Sequence, residues 1–379
     1  MSINSNYRIC TNCVMDTTDP SIVFDEKGIC DKCNRFYNDI LPKWNFGRGK
    51  EKELYKIVQE IKKQGKGKQY DCILGLSGGS DSSYMLHIAV KELGLRPLVI
   101  HIDSGWDAPF VQQNISNLTS KLGVDLIIEK LDIEELRIFQ LAMFKSGVPH
   151  LDIPQDMAFV SLIDKYAIEK KIKYILNGGN ISTEVVANPS SWGYWGTDMI
   201  HIKDILKKFG SGKLKSYPFT NIFKRKIVVP YIKKIKTVKL LNYIEYIKKD
   251  AEVLLEKEYG WRPYPQKHFE SILTKFIEGY WLPERFGYDH RKAQYSSLIL
   301  TRQMTREEAI EKLRNKPLSD SEIAELISIV ASKLKITIDE LMEYFHMPLK
   351  TYKDYKNMKV IFDFGARVLY KLGVYRLVR

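Results

Sequence analysis

The clearest pattern in the chain is an alternation of short apolar runs with amphipathic stretches, which extends from residue 51 to residue 176. The apolar runs predict β-strands that are buried on both faces of a sheet. The stretches between them predict helices, because their apolar residues recur every three or four positions. The predicted strands span residues 71–76, 97–102, 124–128 and 174–176, and the predicted helices span residues 51–63, 82–93, 110–122, 133–145 and 156–171.

Repeated strand–helix units of this kind predict a parallel sheet with helices on both faces, which is a doubly wound α/β fold. Strand signals fade after about residue 230, and helical patterns follow at 237–258, at 267–279 and in three helices after Thr305. The sequence therefore predicts three regions, which are a cysteine-bearing leader at 1–45, the α/β domain at 46–230 and a helical C-terminal region at 231–379.

The composition is that of a globular protein and excludes disordered and fibrous classes, since 44% of the 379 residues are hydrophobic and 28% are charged. A net charge of +13 favours an anionic partner such as a nucleotide, a phosphate or a nucleic acid. Residues 201–250 alone hold 14 basic and three acidic residues. This segment is either a binding surface or a set of solvated helix faces.

The first ten residues lack the apolar segment of a secretion signal, and no run of residues approaches the length needed to cross a bilayer. We therefore expect a cytoplasmic protein without a membrane span. In a reducing compartment, five cysteines favour metal binding or chemistry over disulfide bonds.

Four of the five cysteines form the pattern Cys10-x-x-Cys13 and, after sixteen residues, Cys30-x-x-Cys33. Two residues between paired thiols let both sulfurs reach one tetrahedral ion, so the pattern predicts a Zn²⁺ site. A closed site of four thiolates is structural, because catalytic zinc keeps an open coordination position. Such a site would hold together a small ribbon that has little apolar core. An iron–sulfur cluster or a redox-active dithiol is the alternative.

A glycine-rich turn follows the first predicted strand and leads directly into a helix. Its glycines let the backbone turn sharply, so that N–H groups approach an anion, and the positive end of the helix dipole adds to the attraction. The turn lacks the Gly-Lys-Ser/Thr ending of a Walker A motif, and an ordinary strand–helix turn is the alternative. The candidate phosphate-binding residues are Ser77, Gly78, Gly79, Ser80, Asp81, Ser82 and Ser83.

The sequence Ser-Gly-Gly-x-Asp-Ser after an apolar strand resembles the PP-loop of the ATP pyrophosphatase superfamily. The resemblance implies that ATP is cleaved to AMP and pyrophosphate, with the loop holding the departing pyrophosphate. It also implies contacts to the adenine or ribose at His101 and Asp103, where the second predicted strand ends. Gly178 and Gly179 match the family after the fourth strand, at the sheet edge where open α/β sheets bind ligands.

Further motifs make the whole chain resemble the N-acetyl sugar amidotransferases of lipopolysaccharide O-antigen and nonulosonic acid biosynthesis. The resemblance implies an ATP-dependent ligase that converts the acetamido group of a nucleotide-activated sugar into an acetamidino group. Tyr295 departs from the family pattern, in which we expect a histidine. The matching stretches are residues 10–17, 24–30, 77–82, 177–184, 267–270, 282–286, 289–293 and 304–309.

The resemblance implies a mechanism in two steps. The acetamido oxygen attacks the α-phosphorus of ATP and gives an O-adenylyl imidate and pyrophosphate, and ammonia then displaces AMP. Activation is needed because an amide is a poor electrophile, and Mg²⁺ is expected to bridge the phosphates.

Four side chains are candidates for a role in this reaction. Asp81 would contact the metal or a phosphate-bound water, with capping of the helix as the alternative. Lys267 and Arg291 would stabilise the leaving phosphates, with a purely structural surface role as the alternative. Glu184 would position ammonia or a sugar hydroxyl.

Ammonia is expected to come from solution or from a separate glutaminase subunit. Glutamine hydrolysis by the usual modules needs a nucleophilic cysteine, and the one cysteine outside the leader, Cys72, lies inside the first predicted strand. The resemblance implies a pair like the glutaminase and synthase of histidine biosynthesis. The basic segment 201–250 would then face either the nucleotide sugar or the glutaminase.

Two other functions are compatible with a zinc ribbon, a basic chain and an ATP loop. The first is a PP-loop enzyme that thiolates or amidates a tRNA base, although a thiolase would need further cysteines near the loop. The second is a nucleic-acid-binding ribbon protein whose nucleotide-binding core is inert. The number of separate matching stretches favours the sugar amidotransferase, so we do not expect a nucleic-acid partner.

Overall fold

The computed structural model describes residues 7–371, and a parallel five-stranded sheet lies at its centre. The strand order is β3-β2-β1-β4-β5, and every neighbouring pair is parallel. The strands β2 and β3 therefore extend the sheet on one side of β1, and β4 and β5 extend it on the other side. The strands are β1 at Cys72–Gly75, β2 at Pro97–Asp103, β3 at Leu126–Lys130, β4 at Tyr174–Leu176 and β5 at Lys236–Val238.

Successive strand residues contribute to two separate cores, because side chains in a strand alternate between the faces of the sheet. Ile73 packs into one core together with Ile100, whereas Leu74 packs into the other together with Val99. All four are buried. The predicted doubly wound fold with helices on both faces is thus confirmed.

The N-terminal module is a small ribbon followed by short helices. Isolated antiparallel bridges join Ile9 to Asp16 and Phe24 to Cys30. These two bridges bring the two cysteine pairs together. The helices that follow are α1 at Asp31–Arg35 and α2 at Leu41–Trp44, with a turn of π-helix at Phe36–Ile40 between them.

Helices on the two faces of the sheet complete the α/β domain. The helices α3, α4 and α5 pack on the face that carries Leu74, and α6, α7 and α9 pack on the opposite face. Their bounds are α3 at Glu51–Gly65, α4 at Ser80–His87, α5 at Val111–Leu122, α6 at Ile133–Ser146, α7 at Ile153–Glu169, α8 at Ile181–Glu184 and α9 at Met199–Phe209.

The remaining chain is helical and packs around the sheet rather than apart from it. Tyr259 at the end of α10 joins the core under α4, and Phe276 of α11 joins the opposite core. The helices are α10 at Lys248–Tyr259, α11 at Ile272–Phe276, α12 at Leu282–Phe286, α13 at Arg291–Leu300, α14 at Arg306–Arg314, α15 at Asp320–Leu334, α16 at Ile338–His346 and α17 at Lys359–Lys371. Four α-helices therefore follow Thr305 in the part of the chain described, up to residue 371, where the sequence predicts three.

Two predicted boundaries in the second half of the chain are wrong. The α/β domain does not end at residue 230, because β5 lies beyond it and pairs with β4. This strand overlaps the start of the helix predicted at 237–258, in which a turn of 3-10 helix at Leu240–Tyr243 and the helix α10 are formed. A strand of three residues at a sheet edge is too short to show a period of two, so its pairing with β4 decides its structure.

The helix predicted at 267–279 begins late, at Ile272 in α11. The Ser271 side chain accepts a hydrogen bond from the backbone N–H of Thr274 and caps the helix. Residues 267–271 are consequently a loop, in which His268 has a φ of 70°.

No helix among residues 7–371 is long and apolar enough to cross a membrane.

Candidate active site at the carboxyl edge of the sheet

A cavity of about 210 Å³ lies between the carboxyl ends of β1 and β4. At this point of the sheet the order of the strands changes direction. Two loops at this edge form its base. One contains Ser77 and Gly79, after β1, and the other contains Gly178 and Gly179, after β4. Ligands of open α/β sheets bind at such a switch point, because the loops on its two sides diverge and leave a crevice.

The glycines of the first loop are required by close packing. Gly78 has a φ of 86°, and its carbonyl oxygen accepts a hydrogen bond of 3.0 Å from the indole N–H of Trp261. A Cβ atom on Gly79 would lie 2.7 Å from a carboxylate oxygen of Glu270. The loop is thus held between an aromatic side chain and a carboxylate, and the positive φ of Gly78 favours glycine at that position.

The N-terminus of α4 faces the cavity without a side-chain cap. Unpaired N–H groups in a first helical turn attract anions, and the hydroxyl groups of the loop increase that attraction. The Ser77 hydroxyl lies 3.1 Å from the Ser82 hydroxyl and accepts a hydrogen bond from the backbone N–H of Gly79. This part of the cavity therefore offers hydrogen-bond donors of the kind that bind a phosphate group.

A buried ion cluster forms the opposite wall of the cavity. The ammonium group of Lys267 donates to Oδ2 of Asp81 at 2.8 Å, to Oε1 of Glu184 at 2.7 Å and to the Thr183 hydroxyl at 3.0 Å. Tyr246 donates a further hydrogen bond of 2.6 Å to Oδ1 of Asp81. One cation thus connects the first turn of α4 with the short helix α8.

The charges in this cluster stabilise one another. Burial would raise the pKa of Asp81, but the Lys267 ammonium outweighs burial and holds that pKa below its usual value. Burial would likewise lower the pKa of Lys267, and the Asp81 and Glu184 carboxylates instead raise it. The pKa of Tyr246 is raised by burial and by the Asp81 carboxylate. At neutral pH the site therefore holds a charged lysine and an ionised aspartate.

The loop after β4 is fixed by two asparagines. Asn177 accepts a hydrogen bond from the backbone N–H of Gly179 at 2.8 Å, and Asn180 caps α8 by accepting from the N–H of Thr183 at 2.9 Å. A Cβ atom on Gly178 would lie 3.1 Å from the backbone of Ser82. The two loops are consequently in direct contact, and α8 begins at a fixed position beside α4.

Nine of the residues proposed from sequence line this cavity, and the rest lie elsewhere. Ser83 is buried in α4, and Gly78 lies behind the loop against Trp261. The residues that line the cavity are Ser77, Gly79, Ser80, Asp81, Ser82, Gly178, Gly179, Glu184 and Lys267.

His101 and Asp103, the candidates for adenine or ribose contacts, do not line it. His101 is buried, with Nδ1 2.9 Å from the Leu76 carbonyl oxygen and Nε2 2.9 Å from Oδ2 of Asp107. Burial opposes the charged ring, but Asp107 raises the pKa of His101 above its usual value. Asp103 accepts a hydrogen bond from the backbone N–H of Gly105. Both residues therefore shape the loop after β2.

Arg291 was proposed to stabilise leaving phosphates, and the structure does not place it at the cavity. Its guanidinium group is buried against Asp289 at 2.6 Å and donates to the carbonyl oxygens of Lys312 and Asn315. These partners join α13 to the end of α14. Arg291 does not line the cavity, and its contacts hold two helices together.

Sequence reasoning singled out Lys267 on the loop between α10 and α11 but missed the other residues by which this loop lines the cavity. Trp261, Tyr264, Gln266 and Glu270 all lie on it and line the cavity, as does Glu252 of α10. The signals in the sequence were the clustering of aromatic residues with two prolines at 261–265 and the matching stretch 267–270, which contains Glu270. The carboxylates of Asp81, Glu184, Glu252 and Glu270 supply the hard oxygen ligands that Mg²⁺ prefers.

The four leader cysteines form a second site. All four are buried, and their sulfur atoms lie within 4.8 Å of one another. The distances from Cys10 to Cys33, Cys13 to Cys30 and Cys30 to Cys33 are 3.8, 3.7 and 3.6 Å. Zn–S bonds of about 2.3 Å in a tetrahedron separate the sulfurs by about 3.8 Å. The cluster therefore fits a single tetrahedral ion such as Zn²⁺, and a four-iron cluster would need wider spacing because each thiolate binds a different iron.

The cysteine site is joined to the cavity through α13. Arg306 donates to the carbonyl oxygens of Cys10 and Cys13, and the Ser296 hydroxyl accepts from the N–H of Val14. On its other side, α13 contacts α8, where Thr301 donates to the carbonyl oxygen of Ser182 at 2.8 Å. The ribbon thus supports the helix that carries Glu184.

Two family models match parts of the chain. Residues 71–148 match the phosphoadenosine phosphosulfate reductase domain. This matched range includes the glycine loop. Residues 270–369 match the C-terminal domain described as LPS biosynthesis protein WbpG-like. The chain joins a PP-loop domain to a WbpG-like C-terminal domain. The PP-loop, Ser77–Ser82, is therefore the loop that faces the cavity, and the WbpG-like domain begins at the edge of the same cavity with Glu270.

Single proteins resemble this chain over a short stretch or only distantly. A tRNA(Ile)-lysidine synthase of Chlamydia pneumoniae is 31% identical over 88 residues, which span 23% of this chain and 25% of that protein. An NH3-dependent NAD synthetase of Campylobacter jejuni is 16% identical, with a TM-score of 0.30 over 79% of this chain and 98% of that one. The U34-tRNA thiolase NcsA of Methanococcus maripaludis is 15% identical, with a TM-score of 0.32 over 90% of each chain.

Proposed function

We propose that this protein is the synthetase subunit of an ATP-dependent amidotransferase that converts the acetamido group of a nucleotide-activated sugar into an acetamidino group. The observation that carries the proposal is the cavity itself, in which a PP-loop, an uncapped helix N-terminus and a buried lysine face one another. The WbpG-like domain beside it supports a role in the synthesis of a surface polysaccharide such as the lipopolysaccharide O-antigen, or of a nonulosonic acid.

Each residue of the cavity has a role in this reaction. The PP-loop and the first turn of α4 would bind the β- and γ-phosphates through N–H groups and hydroxyls. Lys267 would neutralise negative charge that develops on the phosphates as the α-phosphorus is attacked. Asp81 would hold Mg²⁺ through its carboxylate, and the metal would supply positive charge that neutralises the phosphates. Glu184, at the same wall of the cavity, would orient ammonia toward the activated carbon.

The cysteines support an external source of ammonia. Four of the five lie in the ribbon cluster, and Cys72 is fully buried in β1. Burial and the nearby Asp71 raise the pKa of the Cys72 thiol, which disfavours the nucleophilic thiolate. Glutamine hydrolysis by a thiol would therefore take place on a separate glutaminase subunit that supplies ammonia.

Labelled nucleotide tests the reaction type directly. With ATP labelled at the α-phosphorus, an acetamido sugar nucleotide and ammonium chloride, we expect labelled AMP and free pyrophosphate that depend on the sugar. Labelled ADP with orthophosphate would contradict the proposal. Ammonium should sustain the reaction and glutamine should not, so activity with glutamine alone would contradict the separate glutaminase.

A PP-loop enzyme that modifies a tRNA base is the second candidate function. The short match to a tRNA(Ile)-lysidine synthase and the basic segment 201–250 favour it. Thiolation in particular is disfavoured, because no cysteine lines the cavity among residues 7–371. Release of AMP that depends on bulk tRNA and not on any sugar nucleotide would favour this function over the first.

A further inference from the structure

A second and larger cavity, of about 990 Å³, lies beside the PP-loop cavity and has no part in binding ATP as described above. Its walls come from both domains. Asp152 and Asp156 at the start of α7 and Trp195 in the loop after α8 belong to the α/β domain, whereas His290 and Lys359 belong to the WbpG-like domain. Binding sites for small molecules commonly lie between domains, and this volume is in the usual range of about 300–1,000 Å³.

The two cavities meet at a buried carboxylate. His268 lines the PP-loop cavity, and Glu278 and His290 line the second one. Glu278 accepts hydrogen bonds from Nδ1 of His268 at 3.2 Å and from Nδ1 of His290 at 3.0 Å. Glu278 and its two histidine partners therefore lie between the two cavities, so the adjoining end of the second cavity is the end nearest the PP-loop. The PP-loop cavity, at about 210 Å³, is too small to hold both reactants.

The second cavity contains polar atoms that lack a partner in the protein. Among residues 7–371, the Thr220 hydroxyl, Nδ1 of His150 and Nε2 of His290 are buried without a hydrogen-bond partner. All three residues line the cavity, and Thr220 is only 2% exposed. A buried polar atom without a partner costs free energy, so these atoms are suited to a polar ligand.

Charged and aromatic groups of the cavity specify the kind of ligand. Asp156 offers carboxylate oxygens and Asp152 offers a carboxyl group to hydroxyl groups of a ligand, and Arg225 and Lys226 offer positive charge to phosphates. Asp164 accepts from the Arg225 guanidinium at 2.7 and 2.8 Å and fixes its position. Trp195 is 42% exposed and provides an aromatic face for a base or a sugar ring.

We propose that the second cavity binds the sugar acceptor, a nucleotide-activated sugar, with its phosphates near Arg225 and Lys226 and its acetamido group at the Glu278 end. This inference rests on the proposed function for the identity of the reaction. It assigns substrate specificity to the WbpG-like domain, because that domain supplies the wall formed by Tyr288, His290, Tyr352 and Lys359.

The experiment measures direct binding by calorimetry on the full chain. UDP-N-acetylglucosamine, UDP-N-acetylgalactosamine and CMP-N-acetylneuraminic acid are the probes, and a non-hydrolysable ATP analogue reports on the other cavity. We expect Trp195→Ala and Asp156→Asn each to raise the Kd of the bound sugar nucleotide by about tenfold, through the loss of a stacking surface and of a charged acceptor. The Kd of the ATP analogue should stay within about twofold of the wild-type value.

Two substitutions outside the cavity serve as matched controls. Tyr231→Ala removes an aromatic side chain that is 70% exposed, and Asp339→Asn removes an exposed carboxylate of α16. Both should leave sugar-nucleotide binding unchanged. Unchanged binding in Trp195→Ala and Asp156→Asn, or a wild-type protein that binds none of the three probes, would overturn the acceptor site.

Failure of this inference is distinguishable from failure of the proposed function. If wild-type protein releases AMP in a sugar-dependent way and the cavity variants keep the same KM for the sugar, the site assignment is wrong and the function stands. If sugar nucleotides bind in the cavity and no AMP is formed with ammonium present, the site stands and the reaction is wrong.

Discussion

The ammonium group of Lys267 lies 2.8 Å from Oδ2 of Asp81, although 186 positions separate the two residues in the chain. Both side chains are largely buried, with 14% and 15% of their surfaces exposed. The contact joins the first turn of the helix after the PP-loop to the loop that precedes the WbpG-like domain. It therefore links the helix that follows the PP-loop to the start of the WbpG-like domain.

Replacement of Lys267 by methionine should be destabilising and should abolish catalysis. Asp81 would keep its charge in a buried site without a counter-ion, which costs about 3–5 kcal/mol. We expect AMP formation to fall by at least about a hundredfold, because the phosphates lose their neutralising group. Urea unfolding measures the first effect, and release of labelled AMP measures the second.

Lys275→Met is the matched control, since Lys275 pairs with Glu322 in a more exposed position. That change should cost less than about 1 kcal/mol. The double variant Asp81→Asn with Lys267→Met should be more stable than Lys267→Met alone, because both buried charges are then gone. Equal stability of the single and double variants would contradict the buried ion pair.

Gly178→Ala should impair ATP binding with little effect on the rest of the fold. The new Cβ atom would lie 3.1 Å from the backbone of Ser82, so the N-terminus of α4 must shift away from the phosphates. We expect the Kd of an ATP analogue to rise by about tenfold, which corresponds to about 1.4 kcal/mol. Calorimetric titration of the folded variant provides the measurement.

Gly365→Ala is a suitable comparison in α17, where no atom lies within 4 Å of the added Cβ. That substitution should leave nucleotide binding unchanged and add up to about 1 kcal/mol of helix stability. If Gly178→Ala bound the ATP analogue as tightly as Gly365→Ala, the contact between the two loops would have no role in holding the phosphates.

The purified protein should contain one zinc ion per chain, and Cys10→Ser should lose it. Cys10 lies 3.8 Å from Cys33 within the buried cluster, and a hydroxyl group binds Zn²⁺ far more weakly than a thiolate. Elemental analysis by mass spectrometry measures the metal content. Because α13 connects the ribbon to α8, we also expect chelation of the metal to lower activity along with ribbon stability.

Cys72→Ala is the control for the zinc prediction, since Cys72 is a buried residue of β1 outside the cluster. It should keep its full metal content although it leaves a small void in the sheet. Iron in the wild-type protein, or zinc retained at a normal level by Cys10→Ser, would refute the assignment of the four cysteines.

The free energy of unfolding should fall as the pH rises from 6 to 9, in part because of Asp152. Burial, together with the charges of Asp156 and Glu278, raises the pKa of Asp152 to about 8. A carboxyl group whose pKa is higher in the folded state favours folding at low pH, and this stability is lost as the pH rises from about 4 toward 8. The loss from one group is at most about 1.4 kcal/mol per pH unit.

Deprotonation of His268 also lowers the free energy of unfolding as the pH rises. Burial opposes its charge, but Glu278 raises the pKa of His268 to about 9. Its contribution is complete below about pH 6.5 and is lost as the pH rises toward 9. Thermal melts in a pH series should therefore show a smaller decline for Asp152→Asn than for wild type, whereas Asp339→Asn should follow the wild-type curve. Parallel curves for Asp152→Asn and wild type would argue against a buried neutral carboxyl.

The sequence by itself determined the features that depend on local pattern. Apolar runs such as Ile73–Leu74 specify strands buried on two faces, and the glycines of the PP-loop specify a turn that larger side chains cannot adopt. The spacing of Cys10 and Cys13 likewise specifies a shared ligand site. These features follow from the chemistry of neighbouring residues, so they are readable without a structure.

Only the tertiary structure decided which distant side chains act together. Lys267 and Arg291 were equal candidates as phosphate ligands, and the fold brought Lys267 to Asp81 and left Arg291 bound to Asp289. The strand β5 exists because β4 offers it hydrogen-bond partners, and the second cavity exists because the WbpG-like domain packs against α7. Such contacts depend on the path of the whole chain, and no local pattern of residues encodes them.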